Sequence, residues 1–303
     1  QSLLAVQVTN LYQATVPVAD QSAATRAPAI NNALIQVLIK LTGDRNIRNN
    51  ESTAQLIRDA KRFVQQFRYQ QVQPKEGREQ ATTELWVEFD ENAMNQALRD
   101  YGLSIWGKVR PSILVWLAYE ANASRRLVSF EDETDYLSLL DERAMARGIP
   151  LLFPLFDLED TSRMSVSDIW AGFSEPILNA SERYQADIVL TGRLIQVLPT
   201  LSEIKWTAFM DDETLSWNSQ AEMAEVALEE GINELADRLA ARYANIGSTR
   251  AETINISVLD IKSIDNYAKA LAYLESIQSV TSVKVTKVLD NEVMFELISQ
   301  GGL

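Results

Sequence analysis

The sequence predicts an α+β protein made of three consecutive modules. Alternating apolar residues, which are typical of strands, and apolar stripes at helical spacing follow one another along the chain. With 46% hydrophobic and 23% charged residues, the composition is that of a globular protein. The length of 303 residues allows two or three domains of ordinary size. We place the modules at residues 1–105, 106–248 and 249–303.

The first module begins with a strand and a long helix. Loosely alternating apolar residues over 3–18 predict the strand. Asp20 or Ser22 is placed to cap the helix that follows, and Gly43 ends it. A second, shorter helix is predicted over 52–60.

A hairpin and a third helix complete this module. Two β runs over 63–72 and 81–90 are separated by a segment that contains Pro and Gly, which is typical of a hairpin loop. Asp90 or Asn92 then caps a helix that ends near Gly102. The predicted order of elements is therefore β-α-(α)-β-β-α.

The second module has the pattern of an α/β sandwich of two or three layers with an antiparallel meander. Residues 113–119 are apolar on both faces, which is typical of a central strand. The other elements predicted are a helix over 135–147, a short strand near 151–153, helical turns at 166–172 and 175–184, meander strands at 187–198, 203–210 and 213–220, and a long helix at 222–244.

The third module is predicted to be part of a ferredoxin-like fold. Its strand at 253–259, helix at 264–277 and hairpin strands at 279–289 and 292–298 follow the order β-α-β-β. A complete fold of this kind has a second helix, and the sequence stops at residue 303, where that helix would begin. We therefore expect the natural chain to continue.

Histidine and cysteine are absent from the chain. Their absence excludes zinc sites built on imidazole or thiolate, Cys–His and Ser–His nucleophile systems, and disulfides. The sequence also lacks the glycine-rich motifs that bind nucleotide phosphates. We therefore expect a protein that is not an enzyme, with no catalytic residues, no cofactor and no metal site.

The net charge of −14 is concentrated in residues 106–250, which carry thirteen basic and twenty-four acidic side chains. Such a segment repels phosphate backbones, so we expect no nucleic-acid partner. No apolar run approaches the ~18–20 residues that span a bilayer, and we expect no transmembrane segment. The start at Gln1 without a leader, together with the lack of cysteine, favours an exported protein whose signal peptide has been removed.

Three stretches of the sequence resemble a known family. They are VPVADQ at 16–21 leading to LTGDR at 41–45, LWVEFD at 85–90, and Trp106 followed by RPSILVWLA at 110–118. In this order they resemble an uncharacterised family of exported proteobacterial proteins, classed as a domain of unknown function, over residues 3–250. The resemblance implies export and a place in the Gram-negative envelope, and it implies no activity.

A looser similarity concerns residues 111–245. This segment resembles the amino-terminal domain of TolB and related envelope lipoproteins, including curli-export and penicillin-binding-protein activator components. The resemblance lies in a strand that precedes a helix, in the stretch ADIVLTG at 186–192, and in the long closing helix. This similarity implies a TolB-like α/β module at 106–248 that takes part in protein interactions. Because one fold serves many functions, it does not identify the partner.

Trp86, Tyr69 and Arg45 are the candidate interaction residues. Trp86 lies between residues that alternate towards the core, so its side chain points away from the core, where an aromatic group either packs beneath another module or contacts a partner. We expect Tyr69, on the neighbouring hairpin strand, to share that face. Arg45 follows a helix end, where it either satisfies free carbonyl groups or binds an anionic partner.

Two groups of acidic residues, at 131–135 and 157–160, resemble metal or catalytic sites, but we expect structural roles for both. The group at 131–135 lacks the spacing of a calcium loop and precedes a helix, which predicts capping and solvation. Asp157, Glu159 and Asp160 follow an apolar strand, where two carboxylates can act as acid and base, but a solvated turn is the simpler interpretation. We likewise interpret Asp187 and Arg193 as the solvated ends of a strand.

These observations favour a non-catalytic periplasmic protein that binds other envelope proteins. The first alternative is a hydrolase that uses carboxylates on a cell-wall or glycan substrate, which requires two facing carboxyl groups roughly 5–10 Å apart in a cleft. The second alternative is a protein that binds a small ligand or a polymer, which predicts a closed and mostly apolar pocket.

Overall fold

The computed structural model describes residues 6–72, 82–122, 124–132, 134–210, 213–246, 251–277, 280–289 and 291–300. These residues form a mixed α+β fold in several modules, which confirms the predicted fold class. The chain forms two compact units, one of residues 1–8 and 110–239 and the other of residues 9–109 and 240–303. The module boundaries at 105 and 248 remain a proposal.

The amino-terminal elements follow the predicted order with one correction. In chain order they are strands β1 (Val6–Gln7) and β2 (Gln13–Val18), helices α1 (Ala23–Thr42) and α2 (Glu51–Arg58), strands β3 (Val64–Val72) and β4 (Thr82–Phe89), helix α3 (Glu91–Asp100) and strand β5 (Ser104–Ile105). The single strand predicted from residue 3 was wrong, because a turn closed by the N–H of Gln13 on the carbonyl of Asn10 separates two strands. The predicted hairpin loop at 73–78 lies outside the described residues.

Helix boundaries in this part follow from side chains that satisfy free backbone groups. Ser22 begins α1 by accepting a hydrogen bond from the N–H of Thr25. Gly43 ends α1 with a φ of 74°, and a Cβ there would lie 2.2 Å from the Cβ of Ala240, so both backbone and packing require glycine. Asp90 begins α3 by accepting from the N–H of Ala93.

Strands β2, β4 and β3 form an antiparallel sheet in that order, and α1 packs against one of its faces. The residues of β4 that point to this face, Leu85, Val87 and Phe89, are at most 1% exposed. The helix contributes a stripe of fully buried residues that includes Ala33, Leu34, Val37 and Leu38. Burial of this apolar surface holds the helix on the sheet.

The next segment contains the central sheet of the protein. Its elements are strands β6 (Val109–Arg110), β7 (Ile113–Ala121) and β8 (Ser124–Leu127), helix α4 (Tyr136–Ala146), strand β9 (Leu151–Leu152), helices α5 (Leu158–Arg163), α6 (Val166–Ala171) and α7 (Ser174–Ser181), strands β10 (Ile188–Leu198), β11 (Leu201–Phe209) and β12 (Thr214–Ala221), and helix α8 (Ala224–Tyr243). The sheet order is β12-β11-β10-β7-β8, with β9 also beside β7. Strand β7 is parallel to β10 and β9, and β10, β11 and β12 form the predicted antiparallel meander.

Helices cover both faces of this sheet, as a sandwich requires. On one face, Trp116 of β7 and Val189 of β10 belong to an apolar cluster with residues of α6 and α7. On the other face, Trp206 of β11 lies against α8 so closely that a Cβ on Gly231 would be 2.0 Å from the indole nitrogen. Trp217 of β12 stacks on Trp206 and donates a hydrogen bond to the carbonyl of Gly231 at 3.2 Å.

The carboxy-terminal elements form a separate antiparallel sheet with one helix. They are strand β14 (Ala251–Val258), helix α9 (Ile264–Ser276), and strands β15 (Val280–Leu289) and β16 (Glu292–Gln300). The short strand β13 (Asn245–Ile246), which precedes them, pairs with β5 instead. Strand β16 lies between β14 and β15 and is antiparallel to both, so β14-α9-β15 is a split βαβ unit. This arrangement confirms the predicted β-α-β-β order, and Phe295 and Leu297 form its core with Leu274 of α9.

The contact of Gly231 with Trp206 predicts a specific stability loss. Alanine normally stabilises a helix interior by about 1 kcal/mol relative to glycine. We expect the opposite for Gly231→Ala, a loss of about 1–3 kcal/mol, because the methyl group overlaps the indole. Urea unfolding measures the change, and Glu225→Ala, at an exposed position of the same helix, is the control with an expected effect within about 0.5 kcal/mol. A gain in stability for Gly231→Ala would contradict this packing.

Candidate functional site

The second face of the amino-terminal sheet carries polar side chains around one indole. Because β4 alternates, Trp86 points away from the buried Leu85 and Val87, as predicted. The strand register places Trp86 between Thr15 of β2 and Arg68 of β3. We call this surface the Trp86 face and define it by Gln13, Thr15, Pro17, Gln66, Arg68, Gln70, Glu84, Trp86 and Glu88.

The side chains of the Trp86 face hold one another in place. The guanidinium carbon of Arg68 lies 4.4 Å from the ring centroid of Trp86, which is a cation–π contact. Glu88 accepts hydrogen bonds from the amide of Gln13 at 2.8 Å and from that of Gln66. Glu84 accepts a hydrogen bond from Gln70 at 3.2 Å. The indole is half-buried, so part of it is accessible on an ordered polar surface.

Tyr69 does not share this face, and that expectation was wrong. A β-bulge between Val64 and Gln66 shifts the pairing of β3 with β4 by one residue, so Tyr69 is opposite Leu85. A shift of one residue moves a side chain to the other face of a sheet. The Tyr69 hydroxyl instead donates to the carbonyl of Gln21 at 3.2 Å and accepts from Arg26 at 3.5 Å, on the side of α1.

Arg45 lies in the exposed turn that follows the end of α1 at Gly43. It is not among the side chains of the Trp86 face. The three candidate residues therefore do not form one surface, and Trp86 is the candidate that the sheet places on an accessible polar face.

The carboxylates after the apolar strand belong to a structural network, and the predicted solvated turn was wrong. Residues 158–163 form α5, and Asp160 is 1% exposed. Asp160 accepts hydrogen bonds from the Tyr184 hydroxyl at 2.6 Å and from the N–H of Phe156 at 2.9 Å. The guanidinium of Arg183 bridges Asp157 at 2.8 Å and Asp160 at 3.2 Å. Arg183, which lies 23 residues after Asp160 in the chain, therefore helps to bury the Asp160 carboxylate.

This network lowers the pKa of Asp157 and raises the pKa of Tyr184. The hydrogen bond from Arg183, assisted by the N–H of Asp160, lowers the pKa of Asp157 from 3.8 to about 2. Burial, with the hydrogen bond to Asp160, raises the pKa of Tyr184 from 10.0 to about 12. Asp157 is therefore ionised and Tyr184 neutral near pH 7, which does not suit a general acid that must give up a proton there.

The acidic group at 131–135 also has structural partners. Asp132 accepts from the N–H of Ser129 at 2.6 Å and forms an ion pair with Arg126 at 3.0 Å. Asp135 precedes α4 with a φ of 52°. Its carboxylate accepts a hydrogen bond from the Ser138 hydroxyl at 3.5 Å but none from a backbone N–H of the helix, so the expected cap was wrong. Glu133 lies outside the described residues, and among those that are described no three carboxylates are arranged to hold a metal ion.

Asp187 and Arg193 are not solvated strand ends, and that interpretation was wrong for both. The carboxylate of Asp187 accepts from the N–H of Ser112 at 2.7 Å and from its hydroxyl at 2.8 Å, and it thereby joins the start of β10 to β7. Arg193 is half-buried and donates a hydrogen bond to the carbonyl of Trp170 in α6.

Arg193 lines a cleft that the sequence analysis did not identify. The cleft has a volume of about 670 Å³ and lies on the α6 side of the meander. The register of β10, β11 and β12 places their cleft residues in two neighbouring rows across the strands. One row is Arg193, Lys205 and Asn218, and the next is Ile195, Glu203 and Gln220. We call it the meander cleft and define it by Trp170, Arg193, Ile195, Glu203, Ile204, Lys205, Asn218, Ser219 and Gln220. Polar residues at every second position of β11 and β12 were the signal that sequence reasoning missed.

Comparisons with known proteins agree with part of the predicted resemblance. Residues 5–107 match a family described as a domain of unknown function, DUF8605. No curated protein matches the chain. The LpoB C-terminal domain from Salmonella enterica aligns with a TM-score of 0.27 and 14% identity, over 37% of this chain and 83% of that domain. Such a TM-score supports no conclusion about fold or function. The predicted domain of unknown function is thus confirmed for residues 5–107, and export and proteobacterial origin stay predictions.

The Arg183 network predicts how Asp157 titrates. Because the folded-state pKa of Asp157 lies below 3.8, its contribution to stability is present above that pH and is lost as the pH falls towards 2. In Arg183→Gln we expect the pKa of Asp157 to rise towards 3.8, which NMR titration of its carboxyl carbon measures. Arg163→Gln, which removes an ion pair to Glu159 in the same helix, is the control. An unchanged pKa in Arg183→Gln would assign the shift to the backbone N–H groups instead.

Proposed function

We propose that the protein works by binding other proteins of the cell envelope and catalyses no reaction of its own. The observation that carries this proposal is the Trp86 face, an ordered polar sheet surface with a partly accessible indole at its centre. Tryptophan and arginine are the residues that most often dominate the binding energy of protein interfaces. Trp86 and Arg68 are in direct contact here.

The internal hydrogen bonds of the Trp86 face favour binding. A partner that contacts this surface has few side chains to immobilise, because Glu84, Glu88 and Arg68 are already held by their neighbours. Immobilising a flexible side chain costs about 0.5–1.5 kcal/mol on association, so an ordered surface loses less free energy when it binds. This surface therefore suits a protein partner better than a disordered charged face does.

The distribution of carboxylates favours binding over hydrolysis. A carboxylate-dependent hydrolase requires a pair of carboxyl groups that face each other across a cleft. Asp157 and Asp160 are bound to Arg183, and Asp187 is bound to Ser112. The lining of the meander cleft includes one carboxylate, that of Glu203. The hydrolase alternative thus has no matching pair of groups among the described candidates.

A periplasmic location is part of the proposal. It is supported by the resemblance of three sequence stretches to an exported family and by the lack of cysteine, which avoids unwanted oxidation in that compartment. In the described part of the chain, no helix is long and apolar enough to cross a membrane.

Replacing Trp86 tests the binding surface. We expect Trp86→Ala to weaken partner capture from envelope extract at least tenfold. We expect it to reduce the free energy of unfolding by only about 1 kcal/mol, because the indole is half-buried and its removal costs mainly the cation–π contact with Arg68. Quantitative mass spectrometry of the captured proteins and urea unfolding are measured on the same variant.

Phe67 provides a matched control on the other face of the same sheet. It is 43% exposed and pairs with Val87, so Phe67→Ala removes an accessible aromatic group without changing the Trp86 face. We expect its capture profile to equal that of the wild type. If both variants capture the same proteins as the wild type, or if Trp86→Ala loses about 3–5 kcal/mol as a core residue does, the Trp86 face is not the binding surface.

A reporter fusion tests the location. The natural full-length precursor, fused to alkaline phosphatase, which is active only outside the cytoplasm, is expected to give activity in a Gram-negative host. A matched fusion that lacks the precursor's amino-terminal leader is expected to give none. Retention of the full-length fusion in the cytoplasm would contradict the proposed location and would leave the binding surface to be judged by Trp86→Ala alone.

A further inference from the structure

Residues 110–239, which we call the central unit, contain few basic side chains, and only some of these form ion pairs with carboxylates. Residues 110–239 contain twenty-four acidic side chains and ten basic ones, and Lys205 is the one lysine among them. In so acidic a segment, each cation has many carboxylates available as partners. A cation that is left without one is therefore informative.

Most of the arginines in this unit are engaged with carboxylates. Those with an ion pair are Arg125, Arg126, Arg143, Arg147, Arg163, Arg183 and Arg238. Arg110 is 1% exposed and donates to the carbonyls of Arg147 and Gly148 at 3.2 and 2.9 Å. Arg193 and Lys205 remain, and both line the meander cleft.

Arg193 and Lys205 are also direct neighbours. They are paired residues of the antiparallel strands β10 and β11 and point to the same face of the sheet. Like charges directly opposite each other in a sheet destabilise it. Within the described part of the chain neither has a carboxylate within 4.0 Å, although Glu203 lies two residues from Lys205 on the same strand. The described residues thus hold two cations side by side with no carboxylate paired to either, although Arg193 donates a hydrogen bond to the Trp170 carbonyl.

We propose that the meander cleft binds a small organic monocarboxylate. The carboxylate would lie between Arg193 and Lys205, where it relieves their repulsion and accepts charge-assisted hydrogen bonds. Ile195 and Trp170, whose ring is stacked by Arg125 at 4.2 Å, supply the apolar wall for the body of the ligand. The amides of Asn218 and Gln220 face its polar groups.

Charge and size decide the class of ligand. Two cations and Glu203 give the cleft a net charge of +1, which complements a carboxylate better than a phosphate group of about −1.5 to −2. The volume of about 670 Å³ lies within the range of small-molecule sites. The inference goes beyond the proposed function, because it concerns a different surface that lies entirely within residues 110–239.

Phenylacetate, phenylacetamide and phenyl phosphate are the probes, since they share a ring and differ in charge. We expect saturable shifts of the Trp170, Lys205 and Asn218 NMR signals with phenylacetate at millimolar concentration. We expect binding at least tenfold weaker with either of the other probes. Lys205→Gln is expected to bind phenylacetate about tenfold more weakly, and Lys205→Arg to retain binding. Lys262→Gln, the same substitution at an exposed residue outside the cleft, is the control.

The free protein provides a second measurement. Lys205 is exposed, so its replacement leaves no cavity, and relief of the repulsion with Arg193 is expected to leave the melting temperature of Lys205→Gln equal to or above that of the wild type. The proposal is overturned if phenylacetamide or phenyl phosphate binds as tightly as phenylacetate, or if Lys205→Gln retains wild-type affinity. It is also overturned if none of the probes shifts these signals at concentrations up to about 10 mM.

Discussion

The parallel pairing of β7 with β10 decides which side chains of β10, Arg193 among them, lie on the face of the sheet that carries the meander cleft. The carboxylate of Asp187 accepts from the N–H and hydroxyl of Ser112, the Ser112 hydroxyl accepts from the N–H of Asp187, and the N–H of Ile188 bonds the Ser112 carbonyl. These bonds set the register at the first residues of both strands. A slip of one residue would exchange the two faces of β10 and move Arg193 from the cleft to the side of Trp206 and α8. Gly192 reinforces this register, since a Cβ there would lie 2.8 Å from the Cδ1 atom of Leu117, its partner on β7.

Register has the same importance in the amino-terminal sheet, where a bulge sets it. The extra residue between Val64 and Gln66 places Arg68, and not Tyr69, on the face that carries Trp86. An accessible indole beside a tyrosine would be a largely apolar patch. The same indole beneath a guanidinium, flanked by glutamate–glutamine pairs, is a polar surface with one aromatic contact. A partner that is specific for this surface must therefore match charge as well as shape.

Sequence patterns predict those features that depend on near neighbours. The stripe of α1, the alternation of β4 and the caps at Ser22 and Asp90 all arise from residues a few positions apart, and each is present in the structure. Distant partners decide the features that the sequence did not predict. Asp160 is buried by Tyr184 and Arg183, and Asp187 is held by Ser112, 75 residues earlier. A lone carboxylate in a sequence is most simply solvated, and only the assembled fold supplies the donors that make its burial favourable.

The meander cleft differs from its surroundings in how the charge of its basic side chains is compensated. Where carboxylates are plentiful, as around Arg183, the fold surrounds one guanidinium with Asp157, Glu159 and Asp160 and thereby fixes α5. At the meander cleft the same acidic chain leaves Arg193 and Lys205 side by side. Solvent and salt reduce their repulsion but do not remove it, because Arg193 is half-buried. The neighbouring charges are paired, whereas this pair of like charges lowers stability. Proteins retain such unfavourable local arrangements mainly at binding sites. An anion bound in the cleft would compensate the two positive charges.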